Sequence, residues 1–458
     1  DITITIAGDA LNESNETVII DMGSPTNATQ GAITTHTATI TDDDGQPSIA
    51  FTAASQSSGT ETGTMTITAQ LSAASGQDVS LPYTINGTST AADPADYTIT
   101  ASPITITAGS TTADITITIA GDSIDEDNET IIVDMGSPTN ATQGAITTHT
   151  ATIDDDDAEP TVAFTAASQS SGTETGTMTI TAQLSAASGK NISVPFSING
   201  SSTAADPADY TITASPISIT AGSTTADITI TIAGDTLDED NETIIVDMGS
   251  PTNASQGAIT THTATIDDDD AEPTVAFTAA SQSSADETGT MTITAQLSAV
   301  SGKNISVPFT INGASTAADP ADYTITASPI SITAGSTTAD ITITIAGDTL
   351  DDDNETVIVD MGSPTNATQG AITTHTATIT DDDGQPSVAF IIASQSSGTE
   401  SGTMTITAQL SAASGQNVSV PFTINGSSTA ADPADYTITA SPISITAGST
   451  TANITITI

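Results

Sequence analysis

The sequence predicts an all-β chain, a tandem series of immunoglobulin-like antiparallel sandwiches set end to end. Three observations carry this. First, Asp1-Ile-Thr-Ile-Thr-Ile-Ala-Gly-Asp9 returns at Asp114, Asp227 and Asp340 and begins again at Asn453, each 113 residues after the last. Such a period is too long for a solenoid repeat and fits one small domain copied in tandem. Second, apolar and polar residues alternate strictly, as in Thr64-Met-Thr-Ile-Thr-Ala-Gln-Leu71. A period of two marks half-buried strands, and β-branched Thr and Ile favour that conformation. Third, Gly, Ser, Asn and Asp clusters punctuate these runs at intervals that suit a seven-stranded sandwich.

In the copy at 46–157, strands are expected at 48–53, 64–71, 79–85, 97–106 (interrupted by Pro103), 115–119, 130–135 and 149–153. Pro103 marks the fourth as an edge strand or a bulge. The expected inward side chains are Ile49, Phe51, Met65, Ile67, Val79, Leu81, Tyr83, Ile85, Ile115, Ile117, Ile131, Val133 and Ile153. Their opposite faces are mostly Thr, as a solvated sheet face requires. Three positions (Phe51, Tyr83, Tyr97 and their counterparts) account for all 7 Phe and 5 Tyr. No aromatic is left for a sugar-stacking platform or a binding hot spot. The period divides the chain into a C-terminal half-domain at 1–44, complete domains at 46–157, 159–270 and 272–383, and an N-terminal part at 385–458.

Charge narrows the partners. Lys and Arg number 2 against 56 Asp and Glu, a net charge of −54. The two cations are Lys190 and Lys303. Nucleic acid is excluded, because nothing neutralises phosphates. An anionic membrane surface is excluded by the same sign, and no apolar run reaches membrane-spanning length. The hydrophobic fraction of 36% in strict alternation argues against disorder. With 0 cysteines, thiolate metal sites and disulfides do not arise.

The acids are unevenly placed. In an antiparallel sandwich the first, third and fifth connections and the exit of the last strand share one end. They carry Glu61; Asp93 and Asp96; Asp122, Asp125, Glu126, Asp127 and Glu129; and Asp154–Asp157. At the other end, 108–112 and 136–147 carry no charge, and the second connection carries only Asp78. A solvated charge run would spread over both ends. Two carboxylates about 5 Å apart repel by roughly 3 kcal/mol at an effective dielectric near 20. Without basic side chains to offset this, hard divalent cations are the compensation. Calcium's six to eight oxygen ligands in flexible geometry suit loops better than magnesium's octahedron. An EF-hand is excluded, since 122–129 lacks its turn glycine and 12-residue spacing.

The run Gly87-Thr-Ser-Thr-Ala, Asp96-Tyr97, Asp122-x-x-x-Glu126-x-x-Glu129 and Thr152-Ile-Asp-Asp-Asp-Asp157 resembles the Calx-beta domain family, found in sodium–calcium exchangers and large bacterial surface proteins. It covers the whole period and recurs in every copy. The resemblance implies calcium at the acidic tip, held by Glu61, Asp96, Asp122, Glu126, Glu129, Asp154, Asp155 and Asp156. Equivalent positions in the next copy are Glu174, Asp209, Asp235, Glu239, Glu242, Asp267, Asp268 and Asp269. In the third they are Glu287, Asp322, Asp348, Asp352 (in place of Glu), Glu355, Asp381 and Asp382. The partial copies contribute Asp9, Glu13, Glu16, Asp42 and Asp43, and Glu400 and Asp435. Exchanger-type members often carry a further acid where this chain has Gly121.

Catalysis is not expected. One histidine per copy (His36, His149, His262, His375) provides no nucleophile–base–orienter set. Carboxylate pairs lack the apolar wall that would raise one of them for glycoside hydrolysis. Connections between copies are short (Ala158-Glu-Pro160, Ala271-Glu-Pro273), so each acidic tip abuts the next copy. The expected role is a calcium-stiffened filament or stalk at a prokaryotic cell surface or outside the cell. Its partners would be calcium and neighbouring repeats or further copies of the chain. The alternative is the repeat region of a cell-surface adhesin whose ligand-binding domain lies elsewhere. Lys190 and Lys303 each follow a four-Asp exit and are expected to offset it across the joint. Residues 453–458 repeat 1–6 with Asn in place of the first Asp, which suggests a window on a longer polymer.

Overall fold

A computed structural model describes residues 1–396 and 399–458. The chain forms two compact units. The first is Asp1–Ser170, Thr177–Ile232 and Thr243–Thr265; the second is Ser171–Gly176, Ala233–Glu242 and Ile266–Ile458. All regular structure among the described residues is strand, and no helix there is long and apolar enough to cross a membrane.

In the first unit, one sandwich is complete from Ser48 to Ile153. Its five-stranded sheet runs Thr142–Gln143, Ser48–Phe51, Thr64–Leu71, Thr112–Ile119, Tyr97–Ile99. The facing four-stranded sheet runs Ser55–Ser57, Thr148–Ile153, Glu129–Met135, Tyr83–Ile85. A ribbon of Val79–Leu81 and Ile104–Ile106 completes it. The register puts Ile115 opposite Ile67 and Ile117 opposite Met65, so the apolar face of each strand meets its partner's. A one-residue slip would turn this whole face to water. The first unit holds a second sandwich of the same order beginning at Thr161–Phe164, and the second unit holds one beginning at Thr274–Phe277.

One predicted strand ends early and two are divided, the second at the expected Pro103 interruption. The run at 48–53 ends at Phe51, and Ser55–Ser57 then joins the other sheet, parallel to the last strand. Pro82 has no N–H for the ladder and separates Val79–Leu81 from Tyr83–Ile85. Ser102-Pro103 separates Tyr97–Ile99 from Ile104–Ile106 in the same way. The expected inward residues are buried except Ile85, which is half-buried. Ala69, Leu71, Ile104, Ile106, Ile119, Met135 and Ala151 join them. His149 is also buried, its Nδ1 2.7 Å from the Ala53 carbonyl and its ring edge-on to Phe51. These contacts place it in the core of the sandwich.

Candidate metal centre

The first complete tip is built from three loops and the exit of the last strand. Asp122 Oδ1 accepts from the Ile124 N–H at 2.7 Å, which turns the 120–128 loop back on itself. The Glu126 N–H donates to Asp155 Oδ1 (3.1 Å) and the Glu61 N–H to Asp156 Oδ1 (3.1 Å). Asn128 closes the frame, donating to Asp154 Oδ1 (2.9 Å) and accepting from the Asp155 N–H (3.1 Å). Asp96 binds the Ala92 N–H and also shares a hydrogen bond with Glu129.

These contacts bring one carboxylate oxygen each of Glu61, Asp122 and Asp157 within 4.8 Å of one another. The second unit repeats the arrangement twice, with Glu174, Asp235 and Asp270, and with Glu287, Asp348 and Asp383. It adds Glu287, Asp352 and Asp381. Among the described residues the ion pairs of Lys190 and Lys303 do not reach these groups. Burial, then the surrounding carboxylates, pushes Glu61 up to about 7. Burial, then the charge and hydrogen bond of Asp96, pushes Glu129 up to about 7. Glu174 is raised to about 6, Glu355 to about 7, and Glu126 and Asp352 in the same direction, with burial the largest cause in each. Clustered acids whose ionisation is opposed in this way form a set of oxygen donors that a cation could neutralise. The hard, all-oxygen set fits calcium.

The predicted residues separate into roles. Glu61, Asp122, Glu174, Asp235, Glu287, Asp348, Asp352 and Asp381 stand in three-carboxylate groups. Asp155, Asp156, Asp268, Asp269 and Asp382 each give one oxygen to a backbone N–H of a neighbouring tip loop. Asp209, Asp322 and Asp435 each bind the amide four residues before them. Glu239 lies with Asp235 in the loop before the strand Glu242–Met248, which Glu242 opens. Asp154 and Asp267 serve loop bonds instead, the first to Ser57 and Gly59, the second to Gly172 and Asn241. Thr41 and Thr380 occupy that position in other copies, so a carboxylate is dispensable there. In the partial copies, Asp9 binds the Leu11 N–H and Asp42 accepts from Asn12. The described groups of three contain none of Asp9, Glu13, Glu16, Asp42, Asp43, Glu400 or Asp435.

Asp157, Asp270 and Asp383 stand in these groups although the sequence did not single them out. They end each aspartate run, and the equal spacing of consecutive acids gives no means of telling the inward one. Gly121 explains the absent acid at its position. A Cβ there would lie 2.2 Å from the Glu61 carbonyl oxygen, so the close approach of the two loops admits only glycine.

The same loop also forms the joint. Asp125 pairs in parallel with Ser188 of the next copy, and the Gly189 N–H donates to the Asp125 carbonyl at 3.0 Å. Lys190 Nζ lies 2.8 Å from Asp125 Oδ1 and 3.8 Å from Asp127 Oδ1. This corrects the expected partner. The lysine reaches across the joint but pairs with the 120–128 loop rather than with the aspartate run, because the Asp125–Ser188 bridge sets it beside that loop.

A string of immunoglobulin-like sandwiches with a carboxylate-rich tip at each joint is thus the class of protein that fold and site define. The chain belongs to the Calx-beta domain family, whose model matches residues 42–156, 154–270, 267–385 and 381–458. Solved structures similar to it include CBD12 from CALX1.2, with 16% identity over 47% of this chain and 98% of that one and a TM-score of 0.24. The apo-form Calx CBD1 domain matches with 16% identity over 25% and 100%, TM-score 0.23. A protein of unknown function from Porphyromonas gingivalis W83 matches with 10% identity over 48% and 96%, TM-score 0.16. No curated protein matches.

Proposed function

We propose that this chain is a mechanical repeat region, an extracellular filament or stalk whose joints are stiffened by calcium bound at the Calx-beta tips. One observation carries the reading. The loop that supplies Asp122 and Glu126 to the acidic tip also supplies Asp125 to the bridge with the next copy. A cation that orders this loop therefore orders the joint. Glu61, Asp122 and Asp157, with Glu126, Asp155 and Asp156 beside them, would hold the ion, which supplies positive charge and no chemistry. The second unit's tips offer the equivalent residues. Millimolar calcium outside cells suits weak sites of the extracellular-module type. A surface address also accords with the net charge of −54, which keeps a long chain soluble.

Small-angle scattering in about 0.15 M salt tests the mechanical claim, because screening there limits long-range repulsion to about 8 Å. In calcium the chain is expected to give a narrow set of inter-domain distances. In chelator the distance distribution should broaden. Superimposable curves in the two conditions would refute stiffening by calcium.

A further inference from the structure

Four joints share one backbone frame. The N–H of Gly76, Gly189, Gly302 and Gly415 donates to the carbonyl of Asn12, Asp125, Asp238 and Asp351, at 3.0, 3.0, 3.1 and 3.0 Å. A serine hydroxyl, from Ser75, Ser188, Ser301 or Ser414, reaches the same carbonyl. The side chains at these joints differ in charge. Asn12 is neutral and donates to Asp42 and to the Asp44 carbonyl. Asp125 and Asp238 are each only 5% exposed. Each accepts from the serine hydroxyl at 3.1 Å and from a lysine, Lys190 at 2.8 Å or Lys303 at 2.9 Å. Asp351 keeps the carboxylate, half-buried rather than buried, and glutamine stands at the lysine position. Gln416 donates to Asp353 instead, and the Ser414 hydroxyl lies 3.4 Å from Asp351 Oδ2.

A carboxylate held out of water is tolerated when a cation and hydrogen bonds meet it, and is costly when the cation is missing. The lysine side chains are themselves mostly covered, at 22% and 21% exposed, so water screens these two pairs less than a surface pair. The other charges facing Lys190 are Asp127, which is almost fully exposed, and Asp155.

We propose that Lys190 and Lys303 are tethered cations that hold the backbone bridge of their joints even without metal, so that removing calcium loosens the Asp351–Gln416 joint more than theirs. The lysine lock stands by itself; the loosening on calcium removal rests on the calcium reading above. The chain would then combine joints that depend less and more on metal in a fixed order, according to whether lysine or glutamine stands beside the joint aspartate.

Hydrogen exchange of the full chain, read on the four glycine amides, tests this. In chelator the Gly415 amide is expected to exchange at least tenfold faster than those of Gly189 and Gly302. Gly76, in the neutral joint, should stay protected. Lys190→Gln should bring Gly189 to the rate of Gly415, and Gln416→Lys should protect Gly415. Asp125→Asn added to Lys190→Gln recreates the residues of the first joint, where Asn12 and Gln77 occupy these positions, and should restore protection, which loss of packing alone would not allow. Equal rates at all four amides in chelator, or no response to both lysine exchanges, would overturn the lock. Calcium should slow Gly415 more than the other three. If calcium slows none while the lysine contrast persists, the calcium reading fails and the lock stands.

Discussion

Glu61→Gln is expected to act in opposite directions with and without calcium. In the metal-free protein Glu61 shares a 4.8 Å group with Asp122 and Asp157, and burial with neighbouring carboxylates pushes it up to about 7. Taken at full strength such a shift corresponds to about 3 kcal/mol. Solvent reaches a half-exposed group and reduces this to about 1 kcal/mol. Removing the charge should therefore raise the unfolding temperature of metal-free protein by about 5 °C. In calcium the same exchange removes an ionised ligand, and affinity should fall by about tenfold or more, roughly 1.4 kcal/mol. Asp78→Asn is the control. Asp78 sits at the opposite end, and its oxygen accepts from the Ala108 N–H, which an amide can still do. It should leave both quantities nearly unchanged. A Glu61→Gln variant less stable than the parent in chelator would show that the tip carboxylates are not under repulsion.

Metal-free protein is also expected to become more stable as pH falls from about 8 to 5, against the usual behaviour of paired carboxylates. Glu61, Glu129 and Glu355 are raised from 4.5 to about 7, and Glu174 to about 6. The folded state therefore binds protons that the unfolded state does not take up until lower pH. The instability is fully present above about 7. It is relieved as pH falls through the folded values, and relief is complete below 4.5. Two such glutamates at one tip, each discounted for solvent, amount to about 2 kcal/mol, or roughly 10 °C for a domain of this size. Saturating calcium should flatten this dependence, because the ion then offsets the charge that protons offset in its absence. Thermal unfolding in metal-stripped buffers at four pH values checks it. An unfolding temperature that falls steadily from pH 8 to 5 would contradict the assigned electrostatics.

Much of this was legible in the sequence because the period of two and the 113-residue repeat constrain it many times over. Each copy restates the same core, so Ile115, Ile117 and Val133 could be placed inward from their alternation. The end on which Glu61, Asp122 and Glu126 gather followed from antiparallel connectivity alone. What could not be read depends on short-range geometry. The change of sheet between Phe51 and Ser55 leaves alternation on both sides intact and so gives no signal. In the run Asp154–Asp157 four identical residues take different roles. The first braces a loop, the middle two bind backbone N–H groups, and the last joins the carboxylate group. Only the path of the chain past Asn128 distinguishes them. Lys190 was correctly sent across the joint, but its partner depended on the Asp125–Ser188 bridge, a backbone contact with no side-chain signature.

Equilibrium calcium binding by titration calorimetry at about pH 7.5, paired with thermal unfolding of the same samples, tests the central claim most directly. Saturable binding of more than one ion per chain is predicted, with affinities in the weak range of about 10⁻⁴ to 10⁻³ M. The unfolding temperature should rise with occupancy. No saturable binding up to about 10 mM, an order of magnitude above that range, together with identical unfolding in calcium and chelator, would contradict the account.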